Sequence, residues 1–433
     1  MRRISSWGRL NALTHNVIGL SDSPTIKDII SRGPHPGLAH GMGRSYGDVC
    51  LNPLGTLWLT TALDRLIAFD DRTGLLVCEA GVLLGDIQRL MIPRGWSLPV
   101  VPGTQMVTVG GAIANDVHGK NHHGMGSFGD HVTQLTLLRT DGETIVCGPN
   151  LQSNWFAATV GGIGLTGVIA QATIQLHPVP GPWLETETIP FADFDAFFQI
   201  AAASEAGWEH TVSWIDSVSR YRGRGLFLRG NSAVVAHPPE VKKINLKMPF
   251  TLPISLFNRQ TIRLFNMAYY TLHALKAGRN ISHYTSYFYP LDNVLEWNRI
   301  YGKRGFFQYQ SVVPNDVGKF AVQAMMKEIA ASGDGSFLTT LKTFGDRQPI
   351  GMLSFPQPGV TLALDVPNRG QRSLMLFDRL DAIVREAKGR LYLAKDARMP
   401  RDLFEAGYPR LAEFIKYRDP GISSSLSRRL MGH

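Results

Sequence analysis

Six consecutive residues, His118-Gly119-Lys120-Asn121-His122-His123, form the densest polar cluster of the chain. Side chains of these types can bind a metal, move a proton or hold an anion. His118 and His122 are four residues apart, a spacing that on a helix would present two imidazoles to zinc. Gly119 and Gly124 oppose a helix there, and the glutamate that accompanies such a pair is missing, so no metal is expected. A loop whose histidines only make hydrogen bonds is a second reading. A third is a loop that clasps an extended cofactor: backbone N–H groups of a glycine-rich turn form an anion nest, and Lys120 adds a charge for a pyrophosphate.

Two further glycine-rich stretches serve the third reading. They are Gly41-Met42-Gly43-Arg44-Ser45-Tyr46-Gly47-Asp48 and the segment from Pro102-Gly103-Thr104 to Thr108-Val109-Gly110-Gly111. Glycine lets a backbone approach a ligand closely. A fourth cluster, Gly162-x-Gly164-x-x-Gly167, has the formal dinucleotide spacing, but that motif needs a helix after it. Val168-Ile169-Ala170-Gln171-Ala172-Thr173-Ile174 reads as a strand. A phosphate-binding P-loop also fails, because Gly119-Lys120 lacks the earlier glycine and Asn121 stands where Ser or Thr would bind magnesium.

The elements that must position these loops read as two halves. Up to residue 182 the pattern is of short strands and turns, with strands over 75–80, 134–140 and 168–176 and a helix over 83–92 that Pro93 ends. His177-Pro178-Val179-Pro180-Gly181-Pro182 is the clearest breaker, which places a boundary there. Beyond it, 306–313 and 360–366 read as strands and 193–204, 316–332 and 371–388 as helices. The predicted fold class is α+β. The expected division is 1–182 as the loop-bearing domain, 183–389 as a substrate domain on an antiparallel sheet, and 390–433 as a returning C-terminal segment.

The 433 residues are 44% apolar and 18% charged, a globular composition. The net charge of +9 and a pI near 9.5 favour an anionic partner. Nucleic acid is not expected, since no recognised binding motif occurs. Cys50, Cys78 and Cys147 are too few for a disulfide framework and suggest a reducing, cytoplasmic setting. No apolar run follows the basic N-terminus and none reaches about 18 residues, so neither a signal peptide nor a membrane span is expected. Residues 230–279 stand apart. Lys242, Lys243, Lys247, Arg259, Arg263, Lys276 and Arg279 alternate with Phe250, Leu252, Ile254, Leu256, Phe257, Ile262, Leu264 and Phe265, and acids are nearly absent. A surface loop with a docked helix is one reading; a segment lying on an anionic membrane is the other.

With these loops in view, the chain resembles the FAD-binding domain of the vanillyl-alcohol-oxidase/PCMH flavoprotein superfamily. Within it, the match is to the branch that oxidises polyprenyl-phosphate-linked sugars. The strings that carry the resemblance are GMGRSYGD (41–48), PVVPGTQMVTVGGAIANDVHGKNHHGMGSFGDHV (99–132), ATVGGIGLTG (158–167), EWNRIYG (296–302), FFQYQ (306–310) and LYLAKDAR (391–398). The resemblance implies a PCMH-type fold and non-covalent FAD, since Arg44 stands where covalent members carry a linking histidine. FAD would be held by Gly41, Met42, Gly43, Arg44, Ser45, Tyr46 and Gly47, by Gly103, Thr108, Val109, Gly110 and Gly111, by Asn115, His118, Gly119, Lys120, Asn121 and His122, and by Val168, Tyr392 and Lys395. The substrate side would be Trp214, Gln308, Gln310, Lys342, Thr361, Ala363 and Lys395, with lysines for a phosphate and glutamines for sugar hydroxyls.

The implied reaction oxidises the sugar C2 hydroxyl to a ketone, with Lys395, His118 or Tyr46 as the group that takes the proton. It is the first half of an epimerisation in cell-envelope glycan synthesis, completed by a separate NAD(P)H-dependent short-chain reductase. The implied location is the cytoplasmic face of the plasma membrane, held peripherally. The alternative is a sugar-lactone or alditol oxidase of the same superfamily. Thr361 and Ala363 stand where the branch has Asn and Cys, and Phe288 where it has a tyrosine, so the pocket wall is expected to differ.

Overall fold

The computed structural model describes residues 1–21, 25–218, 223–240 and 246–432. Lys242 and Lys243 of the basic segment therefore lie outside the described residues. Two larger sheets, with a two-stranded pair of Trp96–Ser97 and His177–Pro178, build the first 180 residues. One is mixed and four-stranded, in the spatial order Arg2–Ser5, Ala12–Ser21, Thr56–Ala62, Gly37–His40. The other is antiparallel and five-stranded, in the order Leu66–Asp70, Leu75–Glu79, Val168–Gln175, Val132–Leu138, Thr144–Cys147. Alternation explains the second sheet: Leu76 and Cys78 turn inward with Ala172, Ile174, Leu135 and Leu137, all fully or nearly fully buried. The helix expected over 83–92 forms as Leu84–Met91, and Pro93 falls in the single 3-10 turn Ile92–Arg94 that ends it.

After residue 182 the chain builds one eight-stranded antiparallel sheet. Its order is Gly278–His283, Trp183–Phe191, Gly225–Ser232, His210–Ile215, Thr339–Phe344, Gly359–Pro367, Phe306–Val313, Arg390–Leu391. Helices Phe194–Ser204, Asn315–Ser332 and Gln371–Glu386 form where their periodicity placed them. Asp193 caps the first by accepting the Ala196 N–H at 2.9 Å. Gly333, at φ +70°, ends the second, a conformation that costs glycine little. The apolar stripes of the two longer helices bury Val322, Met325, Ile329, Leu376 and Leu380 against Leu362 and Leu364 of the sheet. The opposite face of the sheet is left to meet the first half of the chain.

The last 44 residues return to that first half. Arg390–Leu391 completes the large sheet, and the chain then crosses to the glycine loops. The Tyr46 N–H donates to the Ala394 carbonyl at 3.0 Å. A Cβ on Gly47 would stand 1.5 Å from the Asp396 carbonyl oxygen, so only glycine fits this crossing. Arg429 of the helix Ser425–Met431 closes the clamp, donating to Asp48 at 2.9 Å and to Asp396 at 2.8 Å. The Asp396 side chain is only 4% exposed. Removing the guanidinium would strand a buried carboxylate, which typically costs about 3–5 kcal/mol. Arg429→Ala is therefore expected to lower the chemical denaturation midpoint clearly; an unchanged midpoint would show that the clamp contributes nothing to stability.

Candidate active site

Strand alternation sets one wall of the site. On Gly359–Pro367, Leu362, Leu364 and Val366 face the helices, while Thr361, Ala363 and Asp365 face the other way. Register puts Gln310 opposite Ala363, Gln308 opposite Asp365, and Lys342 opposite Thr361. Facing them across a cavity of about 540 Å³ are the loops 39–46, 101–108 and 117–120, with Ile163, Gly164 and Gly167. Lys395 and Tyr392 of the returning segment and residues 291–297 complete the lining.

Four lysines line this space, Lys247 exposed at its rim and three further in. The Lys395 ammonium lies 3.9 Å from the centroid of the Tyr46 ring. Burial pushes its pKa down to about 7; Asp365 opposes that shift and Lys342 adds to it. Lys342 donates to the Gly119 carbonyl at 3.1 Å, and burial brings it down to about 8. Lys120 turns to the Tyr287 carbonyl and packs 4.3 Å over that ring; burial, then Lys342, brings it to about 7.

His118 sits among Phe344, Phe355 and Tyr392, with ring centroids 5.0, 5.5 and 5.3 Å away. Its Nε2 lies 2.9 Å from Gln310 Nε2. An amide nitrogen only donates, so this ring nitrogen accepts and the ring proton belongs on Nδ1. Burial, then Lys342, holds the imidazole well below its usual range, so it is neutral near pH 7. Its one lone pair is thus already engaged. Tyr46 is a phenol held neutral, since burial and then Asp365 raise its pKa. Of the three residues expected to take a proton, only Lys395 combines a cavity position with a usable pKa.

The residues fit FAD. The loops pack closely at their glycines: a Cβ on Gly41 would lie 2.5 Å from the Thr108 side-chain Oγ1, and one on Gly119 would lie 3.0 Å from the Val101 carbonyl. A Cβ on Gly103 or Gly164 would meet nothing within 4 Å and would instead project into open space beside the cavity. Arg44 stacks 4.1 Å over Trp7 with its buried Nε unpartnered, and Asn115 Oδ1 and His118 Nδ1 are buried without partners too. These are groups that an elongated, phosphate-bearing, hydrogen-bonding ligand would satisfy.

Met42, Gly43, Ser45, Thr108, Gly110, Gly111, Asn115, Tyr392, Gln308, Gln310, Lys342 and Ala363 also line the cavity. Seven expected residues do not, and the reading is corrected there. Trp214 is on the right face of its strand, but Tyr269 packs on it at 4.9 Å and its indole N–H donates to the Phe337 carbonyl at 2.9 Å; Val212 lines the cavity instead. Val168 alternates into the core while its neighbours Gly167 and Ile169 face the cavity. Val109 is buried beneath its helix, and Gly47 is pressed against Asp396. Asn121 donates to the Pro99 carbonyl, and His122 packs on Phe344 at 4.3 Å. Thr361 stands behind Gln310, 3.3 Å from its amide nitrogen.

Asp365 was missed. It is fully buried, it accepts from Gln308 Nε2 at 2.8 Å, and burial raises its pKa to about 7. A signal existed, because it shares the strand face of Thr361 and Ala363. Asp292, which accepts the Gln105 N–H at 2.9 Å, was missed as well; it lies just past a turn with no periodic pattern.

Comparison with known proteins agrees with this geometry. Residues 27–148 match the FAD binding domain family. The chain is 37% identical, over 99% of its length and 97% of the relative's, to decaprenylphosphoryl-β-D-ribose oxidase of Mycolicibacterium smegmatis. It is 34% identical, over 81% of its length and all of the relative's, to an uncharacterised protein of Streptomyces coelicolor. Likeness to L-gulonolactone oxidase of Mus musculus is 29% and covers 32% of this chain and 31% of that one. The chain is an FAD-dependent oxidoreductase and belongs to the decaprenylphosphoryl-β-D-ribose oxidase family.

Proposed function

We propose that this enzyme oxidises the C2 hydroxyl of a polyprenyl-phosphate-linked ribose-like sugar to the 2-keto sugar. The observation that carries the reading is the 37% identity extending over 99% of the chain, substrate half included. The lining supports it: Arg44, Lys120, Lys247, Lys342 and Lys395 outnumber Asp292 and Glu296, which suits a phosphate. Gln308 and Gln310 supply amides for sugar hydroxyls. The lactone-oxidase alternative rests on relatives matched over a third of the chain, too little to carry a substrate across.

FAD, when bound, supplies the acceptor for the hydride equivalent leaving C2. The chain's own residues manage the rest. Lys395, neutral, takes the hydroxyl proton at Nζ. Tyr46 offers a phenol donor beneath it. Lys342, held by the Gly119 carbonyl, remains the better charged of the two and faces the phosphate. Gly41–Ser45, Gly103, Thr108, Gly110–Gly111 and Asn115 would hold the cofactor.

In this reading the domains divide the labour, 1–182 binding FAD, 183–389 the sugar, and 390–433 bringing Lys395 to both. The ketone would pass to a separate NAD(P)H-dependent short-chain reductase, completing an epimerisation in cell-envelope glycan synthesis at the cytoplasmic face of the plasma membrane. Ala363, which brings a methyl and no thiol to its place in the cavity wall, and Phe288, packed on His210 at 4.8 Å behind that wall, leave room for a sugar or lipid carrier different from the relative's.

Four outcomes are expected. Anaerobic mixing with a short-chain polyprenylphosphoryl ribose bleaches the flavin absorbance; bleaching by a sugar lactone instead would replace this reading with the alternative. Acid precipitation releases free FAD to the supernatant, because Arg44 is no linker; flavin retained in the pellet would contradict this. Lys395→Met loses turnover by about 2–5 kcal/mol of transition-state stabilisation. In the unmodified enzyme kcat/KM should rise with pH through about 7, since the lysine must lose its proton to act and burial has lowered its pKa to that value. A profile that falls over this range would assign the ammonium form as active and remove Lys395 as base.

A further inference from the structure

The helix Arg259–Ala274 has its faces reversed for an element that meets water. Its inner face carries Ile262, Tyr269 and Asn266; the buried Asn266 amide donates to Asp216 at 3.0 Å and to the Ser336 carbonyl at 3.3 Å. Its outer face presents Leu264, Met267 and Leu272, and Leu275 follows at its end, with exposures of 62, 51, 57 and 80%. At about 100° per residue these four fall in one stripe roughly 140° wide. The segment leading into the helix adds Phe250, Ile254 and Leu256, exposed by 62, 73 and 54%.

The charge around this apolar surface is predominantly positive, with Glu185 at its border paired to Arg279 at 2.9 Å. Residues 241–291 contain no Asp or Glu, while Lys247, Arg259, Arg263, Lys276 and Arg279 surround the stripe. Two copies meeting through this face would bring mostly like charges together, the one bordering acid named here already engaged by Arg279, which disfavours a second copy as the occupant. A bilayer surface rich in anionic headgroups complements both features at once.

We propose that the outward stripe of this helix, with Phe250, Ile254 and Leu256, seats on an anionic lipid surface, its aliphatic side chains entering the headgroup boundary. The helix lies in the plane of that surface; among the described residues no helix is long and apolar enough to cross a membrane. The inference deepens the functional reading above and rests on it for the choice of a lipid. It also explains a connection in the fold. Leu246–Lys247 pairs in parallel with Val294–Leu295, and Lys247, Val294 and Leu295 line the active cavity. The docking segment is thus part of the cavity's own rim, where a lipid-linked sugar would arrive from the bilayer.

The test uses the full-length holoenzyme and phosphatidylcholine vesicles with and without about one-third phosphatidylglycerol. Leu264→Gln/Leu272→Gln changes only exposed positions. Wild type is expected to co-sediment with the anionic vesicles, and the leucine variant to lose at least about tenfold in partition at low and at high salt. Arg259→Gln/Arg263→Gln/Lys276→Gln should lose binding at low salt only, down to the level wild type shows at high salt. Unchanged partition of the leucine variant would overturn the proposal in favour of charge alone. A wild-type dimer seen by light scattering and abolished in that variant would overturn it in favour of a second copy. Flavin bleaching by a water-soluble short-chain substrate should be equal in wild type and variant. Vesicle binding is read without turnover, so a wrong substrate and a wrong surface give different results.

Discussion

Buried positive charge is the constraint around which this molecule is arranged. Removing an ammonium from water is costly unless it finds a partner, and the cavity wall holds five cations against two carboxylates. Each of the three inner lysines is given a partial answer: a carbonyl for Lys342, a carbonyl and a ring for Lys120, a ring and the distant Asp365 for Lys395. None receives an ion pair. Their pKa values settle at about 7 to 8, poised between charge states. An anionic ligand placed among them would raise all three, so binding and proton uptake are linked in this site. The same poise lets one lysine serve as a base while another stays a cation.

Such a site cannot be built on one element, because like charges must be brought together by parts of the fold held in place by something else. Lys120 comes from a glycine loop of the first half, Lys342 from the central strands of the large sheet, and Lys395 from the returning C-terminal segment. The sheet is anchored by helices on its far face. The loops are held by close contacts that leave no room for a side chain at Gly41, Gly47 or Gly119. The return is held by Arg429 between Asp48 and Asp396. The charged cluster thus draws on contacts outside the cavity, a division common where a site itself carries strain or repulsion.

Much of this was legible in the sequence. Period-2 and period-3.6 patterns located Phe306–Val313, Gly359–Pro367 and the three helices on that sheet, because burial on one side imposes the pattern directly. The glycine loops pointed to close backbone approach. Which residues on a correct face reach the cavity was not legible. Trp214 and Val212 have the same orientation, and only the helix carrying Tyr269, docked from elsewhere, decides between them. Asn121 and His122 follow the cavity-lining Lys120 but are buried away from the cavity, on the Pro99 carbonyl and the Phe344 ring. Asp365 escaped because a carboxyl in an apolar strand reads as an edge residue until its partner Gln308 on the next strand is known.

The placement of the differences from the relative's branch follows from the same architecture. Thr361, Ala363 and Phe288 lie in or behind the wall formed by the large sheet and its neighbours, whereas Lys395, Tyr46 and the cofactor loops lie on the other side. Ala363 contacts the cavity without touching the groups that hold the lysines, and Thr361 is reached only through Gln310. A substitution at Thr361 or Ala363 changes the volume and hydrogen bonding offered to a substrate without itself adding or removing a charge, although Lys342 and Asp365 stand in the same wall. Specificity and catalysis are therefore separable at the uncharged positions Thr361 and Ala363, and coupled at Asp365 of the same strand, whose carboxylate bears on the pKa of Lys395.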